Sequence, residues 1–329
     1  MNKVINTAAV SVLIVFLQAC SVPGSTPNSR TNLSDSGVYA ADLSSDGQHA
    51  VVSQVSGAIA VYSLEDMQLL YTWQHQGDTT NLVDNVRFSP NNQFVVTSDM
   101  DAFAIWSMRS GEPIGFWRID QSTIQDVAVN DNARGVLVAR ANGAVMFFEP
   151  QTQRRLEFLG HGDSKVNAID LSANGKYALS GGNDYNAYLW STESGQVMHV
   201  FGHSNRVTMV KLDQQARYAF TSDGHDDAQI WDVQTGEAVS QLSFIERQII
   251  FTSADFSDDG KYLLTGSPSK RLMLWDVQTG KELKQWRVAP SDGPAPQSAV
   301  VYAVGFKQSQ AISIASSGNL AFWNIYDEQ

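Results

Sequence analysis

Seven aromatic residues, Tyr62, Trp106, Phe148, Trp190, Trp231, Trp275 and Trp323, recur along the chain at separations of 44, 42, 42, 41, 44 and 48 residues. Self-similarity at this period means a series of small like units, so a length of 329 residues does not translate into two ordinary domains. The clearest copies are Trp231-Asp232-Val233-Gln234-Thr235-Gly236 and Trp275-Asp276-Val277-Gln278-Thr279-Gly280, with weaker ones at Trp106–Gly111 and Trp190–Gly195. Each unit also carries strand grammar. Alternating apolar segments such as Val166–Leu171 and Val207–Leu212 precede turns at Asp46-Gly47, Asn174-Gly175 or Asp259-Gly260. A second strand follows (Tyr177–Ser180, Tyr262–Thr265), a third ends on the aromatic anchor, and a Ser-Gly or Thr-Gly turn leads into a fourth. Four short strands cannot bury both their faces alone. Set radially around an axis, the units bury one another.

The fourth unit carries Gly160-His161, Ser180, Asp184 and Trp190. With the period, this set resembles the WD-repeat (WD40) family over about Leu33 to Tyr326. The resemblance implies an all-β, seven-bladed β-propeller. It also implies that His161, Ser180, Asp184 and Trp190 form a hydrogen-bonded tetrad inside one blade, satisfying buried N–H groups. The fifth unit keeps Gly202-His203 and Trp231, with Ser222 and Asp226 near the expected places; the second keeps Asp101 and Trp106. Units one, three, six and seven lack most of the tetrad and are expected to rely on apolar packing. After Trp323 only six residues remain, too few for a turn and a fourth strand. The last blade is therefore expected to take its outer strand from Ser29–Ser36.

The start of the chain reads as an address. Met1-Asn2-Lys3 is followed by an uncharged, mainly apolar stretch from Val4 to Leu17, too short to span a bilayer and suited to a signal peptide. Leu17-Gln18-Ala19-Cys20 then resembles the lipobox of bacterial lipoproteins, which implies a signal peptide over 1–19 and lipidation of Cys20. Several acyl chains anchor stably where one binds marginally. Ser21 in place of Asp suggests, by the same resemblance, the outer membrane facing the periplasm. Residues 20–32 form a flexible tether rich in Ser, Pro, Gly, Asn and Thr, and 33–329 the propeller.

Composition removes several functions. A formal charge of −12 repels nucleic-acid backbones. A single cysteine excludes internal disulfides and thiolate metal clusters. None of the six histidines forms a metal-binding pair, the Gly-rich stretches lack a phosphate-loop context, and no nucleophile elbow is present. The expectation is no cofactor, no metal and no catalysis. The chain then reads as a scaffold binding another envelope protein, with its membrane contact through the lipid. In this family partners bind the face around the channel, through loops that enter the inner strands or link second to third strands. By position these loops include Asp84, Asn85, Met100, Lys165, Asn183, Tyr185, Arg206 and Arg247, with Tyr185, Arg206 and Arg247 of the residue types favoured at binding hot spots. The alternative is an enzyme or small-ligand propeller with its site at the channel mouth. Convergent charges there would favour it, and Ser, Ala and Val would count against it.

Overall fold

A computed structural model describes residues 26–75, 82–244, 249–290 and 299–326. Its strands form seven four-stranded antiparallel sheets among the described residues. The inner strands of blades 1 to 7 are Val38–Leu43, Asn85–Phe88, Ile124–Val129, Val166–Leu171, Val207–Leu212, Ser253–Phe256 and Val301–Lys307. Blade 4 shows the full plan: Val166–Leu171, Tyr177–Gly182, Asn186–Ser191 and Val197–Gly202, each pairing with the next. No helix among the described residues is long and apolar enough to cross a membrane.

The inner strands alternate or run apolar because both sheet faces are covered. Ala50, Val51 and Val52 in the second strand of blade 1 are all fully buried. The hydrophobic core divides into clusters that each draw on two adjacent blades, running from blades 1 and 2 round to blades 7 and 1. This is the ring closed by packing.

The chain ends close it again by hydrogen bonds. Ser29–Asn32 pairs with Asn319–Asn324 in the register Ser29↔Phe322 to Asn32↔Asn319, giving blade 7 its outer strand. Asn28 N–H reaches the carbonyl of Phe322 at 2.8 Å, and Leu33 N–H that of Gly318 at 2.8 Å. The closing strand is thus Ser29–Asn32, shorter than the segment 29–36, and it puts the last four residues of the expected tether 20–32 inside the propeller. The meander also sorts the turns: those after the first and third strands lie on one face, those after the second and fourth on the other. Asn28 sits beside Asn324, where the third strand ends. The chain leading to the propeller therefore arrives on the face opposite the turns that carry Met100 and Tyr185.

Candidate partner-binding face

Pairing registers explain why some blades carry tetrads. The aromatic anchor of each third strand faces a small or branched residue, and two positions further along the second strand lies its polar partner. Trp106, Trp190, Trp231, Trp275 and Trp323 donate their indole N–H to Thr97, Ser180, Thr221, Thr265 and Ser313 at 2.8 to 3.0 Å. In blades 1 and 3 the anchors are Tyr62 and Phe148, facing Ala50 and Val136, and the partner positions are Val52 and Val138. Where there is no indole to satisfy, the hydroxyl is gone too. Blades 6 and 7 are therefore not held by apolar packing alone.

In blade 4, His161 Nε2 lies 2.8 Å from Ser180 Oγ, and His161 Nδ1 lies 2.8 Å from Asp184 Oδ1. With neutral imidazole protonated at Nδ1, the chain runs from indole to hydroxyl to ring nitrogen to carboxylate with every donor used. Burial holds the His161 pKa below the usual histidine value, against the pull of Asp184. Asp184 also accepts from the Tyr188 hydroxyl at 3.1 Å.

Two further tetrads differ from the sequence expectation. In blade 5 the partners of His203 are Thr221, at 2.8 Å, and Asp227, with Nδ1 to Oδ2 at 3.0 Å, rather than Ser222 and Asp226. The reason is local: Asp223 caps the turn by accepting N–H bonds from His225, Asp226 and Asp227, leaving Asp226 half-exposed near His225. In blade 2 the tetrad is His75, Thr97, Asp99 and Trp106, with His75 contacts of 2.8 and 3.0 Å. Asp101 instead pairs with Arg118 at 3.1 Å. His75 was hidden by the long connection to the inner strand beginning at Asn85, although Thr97 ten residues before Trp106 was a usable signal.

His203, Asp223 and Asp227 hold candidate ligand atoms within 4.8 Å of one another. The carboxylates already have protein partners. Asp223 Oδ1 takes three backbone N–H groups, Asp223 Oδ2 the Ser204 hydroxyl at 3.0 Å, and Asp227 the His203 and Gln229 side chains. The carboxylates are accounted for by turn and tetrad, while the buried His203 Nδ1, 3.0 Å from Asp227 Oδ2, makes no well-aligned hydrogen bond.

The channel is lined by charged side chains set among small and apolar ones such as Ala41, Val129 and Ser253. A cavity of about 250 Å³ touches Asp42, Arg87, Asp170, Lys211 and Asp255, with Asp126 behind Arg87. Sequence reading missed these residues. Most of their polar atoms tie one blade to the next. Asp42 accepts from Phe88 N–H at 2.7 Å, Arg87 binds Asp126 at 3.0 Å, and Asp126 accepts from Ile169 N–H at 3.0 Å. Asp170 accepts from Leu212 N–H at 2.8 Å, and Lys211 lies 3.6 Å from Asp255. Thr252 and Ser253 complete the series by donating to the Val301 carbonyl. Burial pushes the Asp255 carboxyl up to about 7 against the opposing charge of Lys211.

On the face with the second-to-third-strand turns, Lys165, Asn183, Tyr185 and Arg206 are all exposed, as are Asp84 and Met100, while Asn85 is half-buried. The first four form one continuous stretch across blades 4 and 5. Asn183 N–H donates to the Lys165 carbonyl at 2.8 Å, and His203 N–H to the Tyr185 carbonyl at 2.8 Å. Asn167 Nδ2 bridges Asn183 Oδ1 and the carbonyl of Val207, beside Arg206, at 2.9 and 2.8 Å. Cys20 and Arg247 lie outside the described residues.

Comparison with known proteins agrees with this architecture. The family described as WD domain, G-beta repeat matches residues 67–105, 152–191 and 242–276. Each segment begins near the outer strand of one blade and ends in the third strand of the next, so the sequence repeat is staggered against the structural blade. No curated protein matches the chain. Among solved structures, a chain in a crystal structure of a mitotic checkpoint complex is similar over 99% of this chain and 100% of that one, with a TM-score of 0.74 and 18% identity. Repeats, ring and closing strand together make this fold a seven-bladed β-propeller of the WD40 type.

Proposed function

We propose that the protein is a non-catalytic binding platform held at the bacterial envelope through a lipid on Cys20, presenting the Tyr185 face to another envelope protein. The observation that carries the binding reading is the continuous exposed stretch Lys165, Asn183, Tyr185 and Arg206 on rigid turns of blades 4 and 5. An aromatic side chain on a preorganised scaffold loses little entropy on binding, and aromatic and arginine side chains are the types that dominate interface energetics. The envelope reading rests on the Leu17–Cys20 motif and the apolar stretch before it. The channel charges favour a second reading, a small-ligand site. Asp42, Asp126 and Asp170 are taken up by inter-blade ties, which leaves Lys211 and Asp255, 3.6 Å apart, as the groups such a ligand would meet. The test is purification of the full chain from its native membranes, as wild type and as Tyr185→Ala/Arg206→Glu. One stoichiometric partner with the wild type, lost in the double variant, is expected. Repeated recovery of nothing, or of the same partner with both, contradicts the proposal. Cys20→Ser is expected to move the protein from the membrane to the soluble fraction.

A further inference from the structure

This inference rests on the reading that the face carrying Tyr185 binds a protein, and it adds a second contact on that face, at the channel mouth. Near the start of the inner strand the pairing skips one residue: Tyr39 in blade 1, Tyr302 in blade 7, and Gln125, Asn167 and Thr208 in blades 3 to 5. The pairs Asn85↔Ser98 and Ser253↔Gly266 put Asp84 and Thr252 at the same place in blades 2 and 6. A bulged residue leaves the ladder and re-aims its side chain. Here these positions ring the entrance to the channel. Tyr302, Tyr39 and Asp84 are consecutive in that ring, on blades 7, 1 and 2, and all three touch the cavity. The other four are uncharged. One arc of the mouth therefore holds two tyrosine rings beside a carboxylate.

That carboxylate lacks a counter-ion. The Asp84 side chain has no hydrogen bond or ion pair among the described residues. Partial burial and the nearby Asp99 carboxylate, itself engaged by His75, raise its pKa, and no cation offsets them. The turns around it are acidic as well. From the entry of blade 1 to the exit of blade 2, the described turns and connections carry Asp35, Asp84, Asp99, Asp101 and Asp120. Against them stands one cation, Arg118, which Asp101 occupies at 3.1 Å. Deeper in the channel, Arg87 is taken by Asp126. The other described cations of this face stand further round the ring, Lys165 and Arg206 on blades 4 and 5 and Lys270, Arg271 and Arg287 on blade 6.

We infer that the mouth takes an arginine side chain from a basic segment of the partner, its guanidinium against the rings of Tyr39 and Tyr302 and paired with Asp84. An aromatic face attracts a cation through its quadrupole. The planar guanidinium both stacks on such a face and offers two parallel N–H bonds to one carboxylate. The cavity of about 250 Å³ beneath the arc gives the side chain room to enter. The negative field of blades 1 and 2 speeds encounter with a basic segment and makes binding fall as salt rises.

The test uses the full chain in detergent and a dye-labelled peptide with a central arginine flanked by lysines, read by fluorescence anisotropy. The control peptide has citrulline at its centre, which keeps the shape and loses the charge. Saturable binding of the arginine peptide is expected, weakened by about tenfold or more on exchange to citrulline, in Asp84→Asn and in Tyr39→Ser. Tyr39→Phe retains the ring and should retain binding. Asp163→Asn removes the same charge from an exposed site on the way into blade 4 and should leave binding unchanged. Asp84→Asn keeps the shape of a side chain that makes no bond, and Tyr39 is 41% exposed, so both variants should hold the wild-type melting temperature. Absence of arginine-peptide binding, equal binding of the citrulline peptide, undiminished binding in Asp84→Asn or Tyr39→Ser, or an equal loss in Asp163→Asn each overturns the inference. A native-membrane partner lost with Tyr185→Ala/Arg206→Glu, together with no arginine-peptide binding, leaves the platform reading standing and removes the mouth site alone.

Discussion

At the residue scale, the fold is governed by whether each buried donor finds an acceptor. Ser180 accepts from Trp190 and bonds His161, so Ser180→Ala strands two buried nitrogens. A loss of about 2–3 kcal/mol is expected, measurable as a lower denaturation midpoint. Ala216 makes the opposite point, since it holds φ +52 at a first-to-second-strand turn where Gly47, Gly175 and Gly260 serve other blades. Ala216→Gly is expected to stabilise by about 0.5–1 kcal/mol in the same measurement. Asp255 supplies a pH signature. Its folded-state pKa of about 7 lies above the usual 3.8, so the folded protein holds this proton more tightly than the unfolded chain. The group's contribution is then most favourable at low pH and is lost as pH rises through about 4 to 7. The melting temperature of Asp255→Asn relative to wild type should therefore climb across that window and level off above it; a flat difference contradicts the assignment. The blade 4 tetrad was legible because its four residues keep standard spacing. Those of blades 2 and 5 were obscured by a long connection before Asn85 and by a turn in which Asp223, Asp226 and Asp227 compete for one role.

At the scale of the element, the strand is stable only as one of four, and the blade only between neighbours. The outer strand of one blade lays an aromatic ring on the anchor of the next: Trp73 on Trp106, Phe158 on Trp190 and Phe201 on Trp231, at centroid distances of 4.9, 5.0 and 4.5 Å. Blade 7 receives its outer strand from the other end of the chain, and Tyr62 of blade 1 donates to the carbonyl of Leu33 just beyond that strand at 2.8 Å. Removing residues 29–36 takes away the pairing edge, that acceptor and the buried Leu33 together. A melting temperature lowered by many degrees is expected, and an unchanged one would contradict closure by this strand. The need for a borrowed strand was legible from the six residues left after Trp323. Its limits were not, because Ser29–Asn32 has no apolar alternation and is set by the edge it pairs with.

At the scale of the molecule, the ring brings together groups far apart in sequence. Asp42, Arg87, Asp170, Lys211 and Asp255 each occupy the polar side of an ordinary inner strand, and only closure turns them toward one axis. That convergence has no local signature, which is why the seven-fold repeat was legible and the channel charges were not. The entry of the chain on the face opposite Tyr185 also fixes an orientation. From Cys20 to Asn28 an extended chain reaches at most about 30 Å. A lipid on Cys20 would hold the face of the first-to-second-strand turns near the bilayer and turn the Tyr185 face away. Dyes placed at Asn174 and at Met100 should then differ in quenching by spin-labelled lipid, with Asn174 the more quenched. The binding platform itself is tested most directly by photocrosslinking in living cells, with a benzophenone side chain in place of Tyr185 or of Asn174 on the opposite face. A single discrete adduct from position 185 and none from 174 is the result predicted. Adducts from 174 alone, or from neither position with the protein correctly folded at the membrane, would contradict the account.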